Sequence, residues 1–265
     1  MQNINMLTMQ SIYVKVYLSK IGGLAMLKIK NLTKIYSSGV RAVDDLTLTV
    51  NPGEIYGFIG HNGAGKSTTI KAVVGALTFE QGEIFINGVS MKDNPLECKK
   101  MLAYIPDNPD IYDYLTGEKY LNFICDIFGV DKLEREQSIK HYAEEFEIYD
   151  VLGNVISSYS HGMKQKLVLI SALIHNPKLL VLDEPFVGLD PIASHKVKKI
   201  MAELCENGCS IFFSTHVLEV AEKLCHKIGI IKNGKLVAEG LVADVIGDKS
   251  LESTFLDIAK ESENE

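Results

Sequence analysis

Apolar positions in this chain fall into two periodicities, and the two alternate along it. Two short runs are apolar throughout, Ile55-Tyr56-Gly57-Phe58-Ile59 and Leu179-Leu180-Val181-Leu182. Runs of that length and kind predict strands, and Leu179–Leu182 fits a central parallel strand buried on both faces. Further strands are predicted at Met26-Leu27-Lys28-Ile29-Lys30, around Leu46 to Val50, over Gly82 to Asn87 before an Asn-Gly turn, and at Ser210 to Ser214. Ile228 to Ile231 and Lys235 to Val237 flank Asn233-Gly234, a strong hairpin signal. Helical spacing covers Ser67 to Val74, Glu118 to Phe128, Leu133 to Phe146, Gly162 to Ile174, Ala193 to Cys205 and Val217 to Cys225. Asn176-Pro177 closes the fourth of these. Before Gly22-Gly23, Ile12, Val14, Val16 and Leu18 alternate with polar or aromatic residues, an edge-strand pattern. The chain thus divides into an extension over 1–25, a domain over 26–247 with a helical insertion at about 108–165, and a C-terminal helix with a polar tail over 248–265.

Composition narrows the class. The 265 residues are 46% hydrophobic and 23% charged, with a formal net charge of -7 and a pI of about 5.6. That acidic balance is a poor footprint for a nucleic-acid binder, and none is expected as a partner. The five cysteines are odd in number and form no C-x-x-C pair, which points to free thiols in a reducing compartment and away from zinc. No run of about 18 apolar residues is present, so the chain is not expected to span a membrane by itself. Lys15 and Lys20 lie in the most apolar part of the N-terminus, unlike a signal peptide.

The chemistry begins at Gly60-His61-Asn62-Gly63-Ala64-Gly65-Lys66-Ser67-Thr68, which fits G-x-x-x-x-G-K-[ST] between a predicted strand and a predicted helix. Glycines let successive N–H groups converge, and the helix N-terminus adds partial positive charge, so this is a phosphate site. Lys66 can reach β- and γ-phosphates, and the Ser67 hydroxyl can sit on Mg²⁺. A second element, Asp183-Glu184, follows Leu182 at the C-terminal end of the central strand, where side chains enter a ligand crevice. Asp183 is placed to hold Mg²⁺ through water, and Glu184 to polarise a water that attacks the γ-phosphate.

Ser160-His161-Gly162-Met163-Lys164-Gln165 lies upstream of Asp183-Glu184. With it the chain resembles the ATP-binding subunits of ABC transporters, over Met26 to about Gly247. The resemblance implies an α/β fold: a P-loop NTPase core with a mostly parallel central sheet, an antiparallel β subdomain and an inserted helical subdomain. Ser160 is a good N-cap and Gly162 opens a helix. In the family this segment is the signature, a second phosphate site for the ATP held by a partner protomer. Two ATP then lie between two head-to-tail subunits, as a homodimer or heterodimer. The resemblance also casts Gly188-Leu189-Asp190 as the loop lining the dimer interface, with Asp190 in the nucleotide site. It makes His216 the switch that contacts the γ-phosphate, and Tyr36 the aromatic that stacks on adenine.

Two positions depart from the pattern. The family usually has Gln where Asp107 follows Tyr104-Ile105-Pro106; a carboxylate there can still ligate Mg²⁺. His161 replaces the first signature glycine and narrows the helix entrance. The loop Asn108 to Thr116 is apolar and aromatic; it either meets a membrane subunit, as in the family, or packs the insertion onto the core. The expected activity is ATP hydrolysis that drives export, with Lys66, Glu184 and His216 as the catalytic set. Transmembrane permease subunits would be on another chain, and the location would be the cytoplasmic face of the cell membrane. Two rivals remain: a related ATPase acting on nucleic acid or ribosomes, and a regulatory nucleotide-binding module with weak hydrolysis.

Overall fold

Alternation along two inner strands explains the layering. In β7 (Leu179–Asp183) and β8 (Ser210–Thr215) every residue is buried. Leu180, Leu182, Ile211 and Phe213 face one hydrophobic cluster, while Leu179, Val181 and Phe212 face another. A period of two sends neighbours to opposite faces, so a sheet made of such strands must be covered on both sides. The computed structural model describes residues 24–108, 111–187, 189 and 191–261. The alternating segment expected over residues 12–18 lies outside that set, as does Asp190.

The main sheet has the order β10-β9-β3-β8-β7-β6. Its other members are β3 (Ile55–Ile59), β6 (Leu102–Ile105), β9 (Lys227–Lys232) and β10 (Lys235–Leu241). All neighbouring pairs are parallel except β9 and β10. Those two turn back through Asn233 and Gly234, both at positive φ (49° and 80°), as a primed hairpin turn requires. A second, antiparallel sheet, β2-β1-β4-β5, is built from β1 (Leu27–Ile35), β2 (Arg41–Val50), β4 (Gln81–Ile86) and β5 (Val89–Ser90). Between the two sheets lies α1 (Lys66–Val73), whose Ile70 and Val73 join Leu27, Leu48, Phe58 and Phe212 in one core.

On the opposite face of the main sheet sit α3 (Gly117–Phe128), α4 (Lys132–Glu145) and α5 (His161–Leu173). Thr116 caps α3 and Asp131 caps α4, each side chain accepting first-turn N–H groups. Leu121, Leu167 and Ile170 pack with Leu180 and Phe213. The sheet is completed by α6 (Pro191–Glu206), α7 (Leu218–Leu224), α8 (Val242–Ile246) and α9 (Leu251–Glu261). Two helices, α2 (Pro95–Met101) and α8, have no counterpart in the periodicity: their seven and five residues make less than two apolar repeats. All five cysteines are free, four of them buried.

Candidate functional site

The phosphate loop is held by its glycines. β3 delivers the chain at Ile59 into the turn that α1 closes, with β8 and β9 on either side. Gly65 has φ 112°, and a Cβ there would overlap the Ala42 carbonyl oxygen. A Cβ on Gly60 would lie 2.5 Å from the Ile231 carbonyl oxygen. Only glycine fits the loop this tightly onto its neighbours. No side chain caps α1, so its leading N–H groups, which lack intrahelical acceptors, are left for an anion. The cleft in front of them, about 320 Å³, is lined by Asn62, Gly63, Lys66, Ser67, Asp107 and Glu184 among others. His61 and Asn62 are exposed at its lip and Ala64 is buried beneath. Thr68 Oγ1 lies 3.2 Å from the hydroxyl of Tyr36, which sets that ring beside the loop, 38% exposed.

Two strand ends and the first residue of α1 meet at Glu184. Lys66, 5% exposed, donates to the carbonyl oxygens of Gly60 (2.7 Å) and His61 (3.2 Å) and pairs with Glu184 Oε1 at 3.3 Å. The other oxygen, Oε2, lies 2.9 Å from His216 Nδ1 and accepts the His216 backbone N–H at 3.3 Å. Glu184 adopts φ 51°, a left-handed backbone that costs a non-glycine residue energy and is typical of functional turns. Asp183 is 3% exposed, with Oδ1 accepting from the Ser214 hydroxyl at 2.6 Å. Ser214 Oγ in turn accepts the Glu184 backbone N–H at 3.0 Å. Nearby, burial, then the charges of Asp183 and Asp107, push the Tyr104 hydroxyl up to about 12.

The sequence motifs therefore arrive in two groups. Lys66, Ser67, Asp107 and Glu184 share the phosphate-loop cleft, with His216 bonded to Glu184 and Asp183 bonded behind it. Ser160 and Gly162 do not line that cleft. They open α5, where Ser160 Oγ accepts the Met163 N–H at 3.3 Å. A Cβ on Gly162 would meet nothing within 4 Å, so nothing within the described residues requires glycine there. Ser214 is the residue the motif reading missed. Its signal was a Ser ending an otherwise apolar strand, Ile211-Phe212-Phe213-Ser214, in register with Asp183. The aromatic loop serves both readings: Ile111 and Leu115 pack on the core, while Tyr114 is 76% exposed. A roomier cleft of about 770 Å³ in the helical layer mixes Lys132, Arg135 and Lys140 with Glu118, Glu136 and Asp150, a balance that selects no ion.

Known proteins resemble this chain in sequence and fold. The family model described as ABC transporter matches residues 43–187. The ABC-type transporter ATP-binding protein EcsA of Bacillus subtilis (strain 168) is 32% identical over 243 residues, 90% of this chain and 98% of that one. The ABC transporter ATP-binding protein YthP of the same organism is 36% identical over 221 residues, covering 83% and 89%. A solved ATP binding subunit of an ABC transporter superposes with a TM-score of 0.84 at 35% identity, over 88% of this chain and 99% of that one. A nucleotide-free ATP-binding cassette from an ABC transporter gives 0.74 at 22% identity, over 87% and 98%, a likeness of fold. A family model over more than half its length and relatives matched along nearly all of theirs show that the chain belongs to the ABC transporter family as an ATP-binding ATPase subunit.

Proposed function

We propose that this chain works as one of a pair of ATPase subunits clamped around two ATP, powering export through permease subunits carried on another chain. The observation that carries the reading is the convergence of Lys66, at the start of α1, with Glu184 and His216, just past the ends of β7 and β8, upon one phosphate-binding cleft. Lys66 and the N–H groups of Gly63 to Thr68 bind phosphates. Tyr36 stacks on the adenine. Glu184 takes the proton of the attacking water, and His216 orients that water against the γ-phosphate. Ser160, Gly162 and Asp190 serve the nucleotide of the facing subunit, which gives the unconstrained Gly162 a reason: a bare helix N-terminus lets a phosphate approach closely.

Ser67, Asp183 and Asp107 would hold Mg²⁺. Their hydroxyl and carboxylate oxygens suit a hard cation. Among the described residues no three His, Cys, Asp or Glu side chains form a cage of their own. Mg²⁺ keeps waters and substrate oxygens and takes few protein ligands. The ion would neutralise phosphate charge as the γ-phosphoryl group departs. No helix among the described residues is long and apolar enough to cross a membrane, and permease contact falls to the exposed aromatics Tyr112, Tyr114 and Phe123. Their rings meet edge to face at 5.9 and 5.7 Å. On this reading the subunit sits at the cytoplasmic face of the cell membrane.

The test is Glu184→Gln in the full chain. It should bind ATP with Mg²⁺, fail to turn over, and elute as a stable dimer in size-exclusion chromatography. Hydrolysis at the parental rate would remove Glu184 from the role of base.

A further inference from the structure

A void of about 30 Å³ separates α5 from the acidic end of β7, walled by Asp107, Gln165, Asp183, Glu184, Pro185 and Leu189 among others. Gln165 crosses it. Its Nε2 donates to the Val187 carbonyl oxygen at 3.2 Å. Its Oε1 is buried and has no hydrogen-bond partner among the described residues. Flipping the amide does not help, because Oε1 would then face the Val187 carbonyl and two acceptors would collide. An orphaned buried acceptor is a cost, and what it secures lies across the bond. Val187 N–H donates to the Glu184 carbonyl oxygen at 3.2 Å, closing the turn that leaves Glu184, itself at φ 51°.

The geometry points to Gln165 as a positioning residue that braces this turn from α5 and so aims the Glu184 carboxylate. The inference rests on Glu184 acting as base. Its consequence is directional. The first turn of α5 carries Ser160 and Gly162, proposed above to meet the facing subunit's ATP, while Gln165, about one turn further on, grips the loop beside this subunit's own base. A shift of α5 on meeting that distant phosphate is passed through one amide to Val187 and on to Glu184. The nucleotide that α5 completes therefore sets the alignment of a base serving the other nucleotide. A misalignment of this kind costs rate without costing affinity.

Two variants test it in the full-length protein. Gln165→Met keeps chain length and removes both hydrogen-bonding atoms; Gln165→Asn keeps the amide but falls one methylene short of Val187. Both should lower kcat roughly tenfold and leave the affinity for ATP within about twofold. Amide hydrogen exchange over 184–187 should quicken in both, with no loss of thermal stability in Gln165→Met, which also removes the orphaned acceptor. Parental kcat in both variants overturns the brace. So does a kcat loss with exchange unchanged, or one matched by an equal loss of ATP affinity or by thermal destabilisation of both variants, since each is the mark of a general packing role. Glu184→Gln separates the two failures. If it turns over at the parental rate, the base assignment fails whatever Gln165 does; if it is inactive while Gln165→Met is parental, the brace alone fails.

Discussion

Replacing Ser214 with alanine should damage stability and turnover together, because one hydroxyl holds both acidic groups. Ser214 is fully buried, donates to Asp183 Oδ1 at 2.6 Å and accepts from the Glu184 N–H at 3.0 Å. The first bond has a carboxylate acceptor, a class worth about 1.5–3 kcal/mol. Losing the second strands a part-buried N–H, at about 1–3 kcal/mol. The two losses share one site and overlap, so a total of about 3 kcal/mol is expected for Ser214→Ala. At about 2–4 °C per kcal/mol for chains somewhat shorter than this one, that is a fall of about 6–12 °C in Tm. Turnover should fall at least tenfold, because the freed Glu184 backbone no longer fixes its carboxylate. Ser214→Thr, which retains the hydroxyl, should keep more turnover than alanine. Thermal unfolding by circular dichroism and a steady-state phosphate-release assay read the two effects. A Tm within about 1 °C of the parent, with turnover unchanged, would refute the claim that this hydroxyl organises the strand ends.

Two further outcomes follow from neighbouring groups. Asp107→Ala should raise the Mg²⁺ concentration needed for half-maximal binding of a fluorescent ATP analogue, several-fold at a hard-cation site that loses a carboxylate; an unchanged Mg²⁺ titration would release Asp107 from the metal. His175 stacks on Phe128 with ring centroids 3.7 Å apart, and burial lowers its pKa from the ordinary 6.5. The unfolded chain then binds the extra proton first as pH falls below 6.5, so His175 should subtract stability progressively from there down to its folded value. Tm measured from pH 7 to pH 5 should drop less steeply in His175→Gln than in the parent, and equal slopes would contradict the burial argument.

Much of this architecture was legible because it rests on local rules. Ile55–Ile59 and Leu179–Asp183 are central because nothing polar interrupts them before their last residue. The phosphate loop is legible because its glycines answer a steric demand that no other residue meets. What stayed hidden depends on register. That Ser214 lies beside Asp183, or that Gln165 reaches Val187, follows from strand pairing and helix packing between residues 31 and 22 positions apart. No periodicity encodes such pairings. The left-handed backbone of Glu184 was equally silent: glutamate is an ordinary residue in sequence, and nothing beside it in the chain marks the positive φ it takes next to Ser214. Helix α2 escaped because seven residues cannot display a helical period.

The same contacts explain why the two nucleotide motifs are worth more together than apart. An ammonium has three N–H donors; Lys66 donates to the Gly60 and His61 carbonyl oxygens and makes an ion pair with Glu184. If Lys66 is the phosphate ligand, an arriving ATP competes with these partners for its ammonium. The Glu184 pairing, at 3.3 Å the longest of the three, is the one whose charge the phosphates best replace. Glu184 Oε1 is freed by that exchange, while Oε2 stays on His216 and the backbone stays on Ser214. With Glu184 as the base proposed above, nucleotide binding would uncover it and keep it aimed in a single step. On that reading, the pairing of Lys66 with Glu184 would keep the base occupied until phosphate displaces it.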